Sequence, residues 1–424
     1  MKIKRYIKGD KVIWLVIMIL LVISLLSVYS STGSLAYQYR GGDTLYYLLR
    51  QLRFILLGIV IIFFVHLVPY HIFSRLSVVA LWLAIPLLFL TLVAGQNIND
   101  ATRWLQIPGT SFTIQTSDFA KIALVMYLAR VLSVNQNNIS DFKDVFGKVT
   151  LAIVGICGLI LPANFSTAVL IFLTAFSLMF VARIPVKYLA LMIFAGLFAF
   201  AIFLGATELL GKEGRTSTWK NRIESFVSGE GDSYQADQAK VAIVQGGLFG
   251  KGPGNSTQRN LVPHPYSDFI YAIIIEEYGS LVGGFLVVAL YLWLFYRTGL
   301  IIRRSRSTYG AFLAFGLSMG LVLQAFVNMA VAVGLVPVTG QTLPLVSMGG
   351  SSIIFTSIAA GMILSVSWGT DESRTQGMDS RESIPEAENG GQSPDSGSAE
   401  ASAGSAEKLK MGQRKTRTEF DLNV

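Results

Sequence analysis

Charge is scarce in this sequence. Of its 424 residues only 14% are Asp, Glu, Lys or Arg, whereas 52% are hydrophobic. A soluble domain usually carries about 25% charged residues, so the composition excludes an ordinary soluble protein and indicates a polytopic membrane protein. The net charge of +8 would suggest nucleic acid as the partner of a soluble protein. Here it indicates basic cytoplasmic loops facing an anionic membrane, with no nucleic-acid partner.

Metal-ligating and redox residues are also few. The one cysteine, Cys157, excludes a disulfide within the chain. Of the three histidines, His66 and His71 are five residues apart and His264 is remote, and the absence of HExxH or CxxC spacing leaves no structural zinc site. The Gly-rich stretch 246–254 lacks the Lys-Ser or Lys-Thr ending of a P-loop. It therefore indicates close backbone packing or an anion-binding nest, and nucleotide binding is excluded.

Long apolar runs, by contrast, recur along the whole chain. A spanning helix needs about 17 residues or more, and ten runs approach or exceed that length, so we predict an all-α protein with ten transmembrane helices. The run at 118–134 is the weakest because Asp118, Lys121 and Arg130 interrupt it. The runs lie at residues 12–29, 52–69, 76–94, 118–134, 148–163, 165–182, 187–207, 268–297, 309–333 and 350–368.

The distribution of Lys and Arg predicts the orientation. Basic residues concentrate before the first run and in alternate connections, around 130–148, 183–187 and 297–306. Short loops rich in Lys and Arg face the cytoplasm, which places both termini there. The basic N-terminus precedes a long run without a small-residue cleavage site, so we expect a first spanning helix and no removed signal peptide. The outward loops are then 30–51, 95–117, 208–267 and 334–349.

Two polar segments stand out from the apolar runs. We predict a transmembrane domain over 1–369 whose large outer loop, 208–267, contains amphipathic pieces at 219–226 and 236–244 and folds over the outer mouth. A loop of that length in a compact protein is usually functional or disordered. Residues 370–424 are rich in Gly, Ser and Glu and end in a basic cluster. That composition cannot bury a core and predicts a disordered cytoplasmic tail.

Asp268 is the first candidate for chemistry. It ends the polar loop through Pro263-His264-Pro265-Tyr266-Ser267 and opens the run at 268–297, where water meets hydrocarbon. A carboxylate is costly there and is usually functional, which favours a catalytic base. The alternative is a helix start in which Ser267 caps and Asp268 complements the dipole. His264, in the rigid lead, is a further candidate for substrate binding.

Other polar residues at the outer ends of the runs are candidates for substrate binding. Asp118 and Lys121, three apart, share a helix face, either as a mutually satisfied ion pair or as a cavity-facing lysine oriented by Asp118. Arg103 and Arg222 lie beside aromatic residues, and an outward arginine can bind phosphate or anchor the chain at the interface. Ser351, in the Gly/Ser patch 347–352, serves either close helix packing or substrate contact.

Taken together, several stretches resemble one known family, the SEDS proteins (shape, elongation, division and sporulation). The resemblance covers about 1–368, and its motifs together are specific. Within the family, the Pro-His-Pro-Tyr-Ser-Asp run and the tail are more similar to the cell-division type than to the elongation type. The matching stretches lie at residues 99–105, 115–121, 222–238, 246–258, 267–270, 276–279 and 328–352.

The resemblance implies ten transmembrane helices and a peptidoglycan glycosyltransferase that polymerises lipid II at the outer leaflet of the bacterial inner membrane during septal wall synthesis. It implies that Asp268 is the essential aspartate of the family's S/T-D-F motif, and that Asp118 and Lys121 match the family's acidic residue and lysine in the fourth span. Where the family usually has Glu, this chain has the shorter Asp118. The implied partners are lipid II, a class B penicillin-binding protein and other division proteins.

Joining two lipid II units converts an α-linked pyrophosphate into a β-1,4 bond, so the anomeric centre inverts. Such a displacement needs one base, for which Asp268 is the candidate, and positive charge for the departing pyrophosphate, from Lys121, Arg103 and Arg222 or from a divalent cation. The residues leave that choice open. The alternatives are a lipid II flippase, a non-catalytic scaffold for a class B penicillin-binding protein, and an elongation-type polymerase.

Overall fold

The computed structural model describes residues 8–98, 101–106, 109, 113–209, 234–263 and 265–382. Helices make up most of that part of the chain. They are α1 Lys11–Ser31, α2 Gly33–Arg40, α3 Thr44–Leu67, α4 Tyr70–Ala94, α5 Thr116–Val134, α6 Lys148–Ile160, α7 Phe165–Val181, α8 Val186–Leu209, α9 Tyr234–Gly246, α10 Ile270–Tyr278, α11 Phe285–Arg304, α12 Thr308–Ala332 and α13 Gly350–Glu382. Short 3-10 or π-helical turns lie at Gln136–Asn138, Phe142–Gly147, Gln258–Asn260 and Gly279–Gly284.

Several of these helices are long and apolar enough to cross a membrane. In the described part of the chain, six helical stretches meet both conditions, and Phe165–Val181 and Val186–Ile202 are shorter apolar helices. The chain is therefore a multi-pass membrane protein. The two remaining predicted spans overlap α5, which charges interrupt, and α6, which has 13 residues. Ten crossings remain a prediction. The six stretches are Lys11–Ser31, Thr44–Leu67, Tyr70–Ala94, Ile270–Arg304, Thr308–Ala332 and Gly350–Thr370.

The end of the chain differs from the expected boundary. Helix α13 continues to Glu382, past residue 369, where the sequence predicts that the transmembrane domain ends. The chain divides into two units, Met1–Thr375 and Gln376–Val424. The rest of the predicted disordered tail, 383–424, lies outside the described residues.

Side-chain caps define where several spans begin. Asp10 accepts hydrogen bonds from the backbone N–H groups of Val12 and Ile13 at the start of α1. Asn164 accepts from the N–H of Thr167 at the start of α7. Each cap satisfies backbone donors that have no partner within the first helical turn, so these starts are encoded locally.

Small residues bring the spans together. A Cβ added at Gly316 in α12 would lie 2.6 Å from Val125 Cγ1 in α5, and one added at Gly361 in α13 would lie 2.8 Å from Val65 Cβ in α3. Close approach through glycine is a common way to pack helices within a membrane. The first contact holds α12 next to α5, and the second holds α13 next to α3.

A small antiparallel sheet replaces what the sequence predicts to be an outward loop at 95–117. Its strands are β1 Gln96–Ile98, β2 Ala101–Gln106 and β3 Thr113–Gln115, in the order β1-β2-β3. In β2, Trp104 pairs with Gln96 on one side and with Gln115 on the other. Because side chains alternate along a strand, Arg103 and Trp104 project to opposite faces of the sheet.

The Gly-rich stretch packs its backbone against α10. The N–H groups of Lys251 and Gly252 donate to the carbonyls of Glu276 and Glu277, both at 2.9 Å. The buried Glu276 side chain accepts from Lys251 Nζ at 2.7 Å and from the N–H of Thr257 at 3.0 Å. Of the two roles expected for this stretch, the structure has close backbone packing.

Candidate functional site

Asp268 lies in a turn just before α10. The helix begins at Ile270, and Phe269 occupies the N-cap position without a side-chain capping bond. Ser267 Oγ donates to Asp268 Oδ1 at 2.8 Å. The two side chains therefore bind each other, and the alternative in which Ser267 caps the helix has no support in this geometry.

Long-range hydrogen bonds hold the backbone on both sides of this carboxylate. Asn328 Nδ2 in α12 donates to the Asp268 carbonyl at 2.8 Å. Ser347 Oγ donates to the carbonyl of Ser267 at 2.6 Å, and the N–H of Met348 donates to the carbonyl of Tyr266 at 2.9 Å. The turn is thus anchored to α12 and to the segment that precedes α13.

The side chains of Arg103 and Asp268 both lie near Gly340. The backbone of Gly340 has φ +65°, and a Cβ added there would lie 3.5 Å from Arg103 Nη1 and 3.6 Å from Asp268 Oδ2. Arg103 Nε also donates to the Ala163 carbonyl at 3.2 Å. Sheet strand β2 therefore brings a guanidinium, which can bind phosphate, to the carboxylate predicted to be the base.

Two arrangements are expected for Asp118 and Lys121, an ion pair and a lysine that faces a cavity, and the structure has both. Lys121 Nζ lies 2.8 Å from Asp118 Oδ1 and donates to Gln324 Oε1 at 2.9 Å. Gln324 Nε2 in turn donates to the Thr342 carbonyl at 2.9 Å. Thr342 Oγ1 lies 3.2 Å from Ser352 Oγ. The ion pair is thus part of a polar network linking α5, α12 and α13.

The same network lines one end of a partly open cavity, whose empty space is about 670 Å³ when its open side is included. Asp118, Lys121, Gln324 and Ser352 line its polar end, and Asp268 is not part of the lining. A cavity with a polar end and apolar walls suits an amphipathic ligand. Its apolar walls come from α5, α7, α12 and α13 and include Leu124, Leu128, Ile171, Ala175, Leu321 and Phe355.

The remaining predicted site residues are Ser351, Arg222 and His264. Ser351 is buried, and its hydroxyl has no hydrogen-bond partner among the described residues. Its neighbour Ser352, which was not selected from the sequence, lines the cavity. Arg222 and His264 lie outside the described residues, so their roles remain predictions.

Two amides in α12 contact the candidate site although the sequence-based prediction does not include them. Gln324 contacts Lys121, while Asn328 supports Asp268 and also donates to the Gln341 carbonyl at 2.7 Å. Both are buried. They are four residues apart in an otherwise apolar run, which places them on one helix face. Polar residues within a span are costly unless paired, and that spacing is the signal that would have identified them.

The described residues contain no group of three or more His, Cys, Asp or Glu side chains arranged to hold a metal ion. The carboxylates in this region belong to Asp268 and Asp118, and Asp118 is already paired with Lys121. A divalent cation as a partner of the leaving group therefore remains a prediction from the sequence.

A family model described as "Cell cycle protein", covering FtsW, RodA and SpoVE, matches residues 10–372. The chain belongs to the FtsW/RodA/SpoVE family. It is 32% identical over 363 residues to the Stage V sporulation protein E of Bacillus subtilis, covering 84% of this chain and 96% of the relative.

Other relatives carry a name that describes an activity. The chain is 31% identical over 369 residues to a probable peptidoglycan glycosyltransferase FtsW of Coxiella burnetii, covering 84% of this chain and 96% of the relative. It is 35% identical over 338 residues to a protein of the same name from Nitrosococcus halophilus, covering 77% and 84%. The resemblance stated from the sequence is thus confirmed at the level of the family.

Two solved structures share the fold. One is a chain from a peptidoglycan synthase complex that coordinates polymerization and crosslinking, with a TM-score of 0.68, 22% identity and coverage of 85% of this chain and 98% of that one. The other is the rod shape determining protein RodA of Thermus thermophilus, with a TM-score of 0.62, 23% identity and coverage of 85% and 97%.

Proposed function

We propose that this chain polymerises lipid II into glycan strands at the outer leaflet of the bacterial inner membrane, as a peptidoglycan glycosyltransferase of the division type. The observation that carries the proposal is the approach of Arg103 and Asp268 across Gly340. It sets a candidate base beside a candidate phosphate-binding group. The names of the FtsW relatives support the same activity.

Asp268 is the base in this mechanism. It accepts the proton of the attacking hydroxyl while that oxygen displaces pyrophosphate from the anomeric carbon of the second substrate, and the configuration inverts in one step. Its Oδ1 is held by Ser267, while Oδ2 points toward the Gly340 side. The anchored turn keeps the carboxylate in place, which a positioned general base requires.

The departing pyrophosphate needs positive charge. Arg103 supplies it close to Asp268, and Lys121 supplies it at the polar end of the 670 Å³ cavity. Below Lys121 that cavity is lined by apolar side chains, which suit the isoprenoid part of a lipid substrate. Arg222 remains a further candidate from the sequence.

A lipid II flippase is the alternative function. It would have to carry a charged sugar-pyrophosphate head across the hydrocarbon layer, where unpaired charge is costly. Beyond Lys121, the cavity lining in the described residues is almost entirely apolar, which does not favour such a path. A class B penicillin-binding protein is the proposed partner, supported by the fold shared with a chain of a peptidoglycan synthase complex.

The test is the substitution Asp268→Asn in the full chain, assayed with its partner and labelled lipid II for strand formation. Because Asn keeps the size of the side chain but cannot accept the proton, we expect strand synthesis to fall by about 10²–10⁴-fold. The protein should insert and bind its partner normally.

Asp43→Asn is the matched control. Asp43 also lies in a predicted outward loop, is exposed, and caps α3 by accepting from the Tyr46 N–H at 3.2 Å. Asn caps nearly as well as Asp, so this variant should keep near-normal activity. Near-normal strand synthesis by Asp268→Asn would disprove the assignment of the base.

A further inference from the structure

Three large apolar side chains are exposed where helix α9 runs into the Gly-rich stretch. Val244, Leu248 and Phe249 are 79%, 64% and 77% exposed. They lie at the C-terminal end of α9 and in the turn that follows it, and together they form the apolar tip. Because large apolar side chains exposed as a group usually mark contact with a membrane or with another protein, the apolar tip requires an occupant.

The opposite face of α9 is already packed. Ala239, Ala242 and Gly246, which the helical repeat places on one face, are buried. A Cβ added at Gly246 would lie 2.2 Å from the carbonyl oxygen of Ile275 in α10. Val244 is two residues from Ala242 and therefore points away from this contact. The apolar tip cannot turn inward without separating α9 from α10.

The apolar tip adjoins the lipid-facing surface of a span. The N–H of Leu281 donates to the carbonyl of Leu248 at 3.2 Å. Leu281 and Phe285 belong to the stretch Ile270–Arg304, which is long and apolar enough to cross the membrane, and both are exposed. The exposed side chains of the tip and of the span therefore form one continuous apolar surface.

The height of this junction places it within hydrocarbon. Arg297 pairs with Asp10, which caps the start of α1, and a charged pair of this kind marks the edge of the hydrocarbon layer opposite Asp268. Leu281 precedes Arg297 by sixteen residues, a separation of about 24 Å at the rise of an α-helix. Since the hydrocarbon layer is about 30 Å thick, Leu281 and the adjoining Leu248 lie inside its other edge.

Polar side chains take over next to the apolar tip. Lys251 Nζ donates to Gln245 Oε1 and, at 2.9 Å, to Thr257 Oγ1. Nearer the N-terminus of α9, Lys240 Nζ lies 3.2 Å from Asp237 Oδ1, and both side chains are exposed. An exposed surface with an apolar end and a polar remainder is typical of a segment at the boundary between water and lipid.

We propose that the apolar tip lies in the bilayer leaflet on the Asp268 side, where lipid acyl chains cover it. The other possible occupant is a partner protein. A partner domain in water would have to reach below the edge of the hydrocarbon layer to cover Leu248, so the height of the junction favours lipid. Because the Gly-rich stretch is bonded to α10, this contact with lipid anchors the outer loop beside the start of that helix.

The experiment measures the depth of a nitroxide spin label at Phe249→Cys in the full chain, held in phosphatidylcholine nanodiscs. Cys157→Ala removes the one native cysteine. Electron paramagnetic resonance compares the accessibility of the label to oxygen, which concentrates in hydrocarbon, with its accessibility to a water-soluble nickel chelate. We expect oxygen to reach the label more readily than the chelate, as at Phe285→Cys on the exposed surface of the span.

Asn260→Cys is the matched control. Asn260 is also exposed and lies in the same loop, in the turn Gln258–Asn260, away from the apolar tip in sequence. Its label should be reached more readily by the chelate than by oxygen. Should Phe249→Cys fail to fold, Leu248→Cys keeps Phe249 and should also favour oxygen. A label at either tip position with the accessibility of the label at Asn260 would overturn the proposal.

Addition of the proposed class B penicillin-binding protein tests the other occupant. A tip label that the chelate reaches in the chain alone, and that neither reagent reaches after the partner is added, would assign the apolar tip to protein and overturn the assignment to lipid. The measurement needs no strand synthesis, so failure of the proposed reaction would leave its result unchanged.

Discussion

At the scale of single residues, the two charged side chains that line the partly open cavity, Asp118 and Lys121, are paired with each other. The Asp118 side chain is 8% exposed and that of Lys121 is 25% exposed. Lys121 also donates to Gln324, so its position is determined from two sides. Lys121 thus lines the cavity while it is bound to both Asp118 and Gln324.

This arrangement yields a prediction about Lys121. Lys121→Ala should abolish strand synthesis, since it removes the cation at the polar end of the cavity. It should also destabilise the protein by about 3 kcal/mol, the low end of the range for breaking a buried pair, because the carboxylate of Asp118 would remain buried and unpaired. Strand synthesis and thermal unfolding of the purified chain are the measurements.

The double variant Asp118→Asn with Lys121→Met is the control for that prediction. Neutral replacement of a buried ion pair is often tolerated, so its unfolding temperature should lie closer to that of the wild type while strand synthesis stays absent. Activity in the double variant would show that the pair is only structural.

At the scale of elements, the Gly-rich stretch determines where α10 lies, and α10 follows directly after Asp268. Gly246, Gly250 and Gly279 each lie where an added Cβ would overlap the backbone of the facing segment. The two segments therefore pack backbone against backbone. The Glu276 side chain also accepts hydrogen bonds from Lys251 Nζ and from the N–H of Thr257.

Two glycines of this stretch offer a matched pair of substitutions. Gly250 and Gly254 have nearly equal φ angles, +81° and +78°, but a Cβ at Gly250 would overlap Glu277, whereas nothing lies within 4 Å of one at Gly254. Gly254→Ala should cost about 1–2 kcal/mol for the left-handed conformation alone. Gly250→Ala should cost more and should displace α10, which lowers strand synthesis.

Thermal unfolding and strand synthesis measured on both variants check this expectation. Equal losses in the two variants would show that backbone conformation, and not the contact with α10, is what matters in this stretch.

At the scale of the whole molecule, the number of times that the chain crosses the membrane can be tested directly. Six helical stretches of the described residues are long and apolar enough to do so, and the sequence predicts ten crossings. Reporter fusions near Asn138 and Ser305 should read cytoplasmic, and one near Gly229, which lies outside the described residues, should read external. These expectations follow from the basic residues in alternate loops.

A fusion after residue 382 serves as a further cytoplasmic marker in the same experiment. A cytoplasmic signal near Gly229 would break the ten-span arrangement and would move Asp268 to the inner leaflet, away from the proposed reaction.

Much of the fold could be predicted from the sequence because its determinants are local. An apolar run of sufficient length forms a helix in lipid, since every backbone polar group must find its partner within the segment. The predicted runs at 309–333 and 165–182 correspond to helices Thr308–Ala332 and Phe165–Val181. The prominence of Asp268 is local too, because it rests on a carboxylate at the edge of an apolar run.

The tertiary structure alone decided which residues meet. The sheet that carries Arg103 was not predicted, because its strands are short and pair across chain turns. Lys121 and Gln324 are 203 residues apart in sequence, and Arg103 and Asp268, from distant segments, both lie near Gly340. Local hydrophobicity determines that helices form, whereas packing of distant segments determines which polar groups share a site.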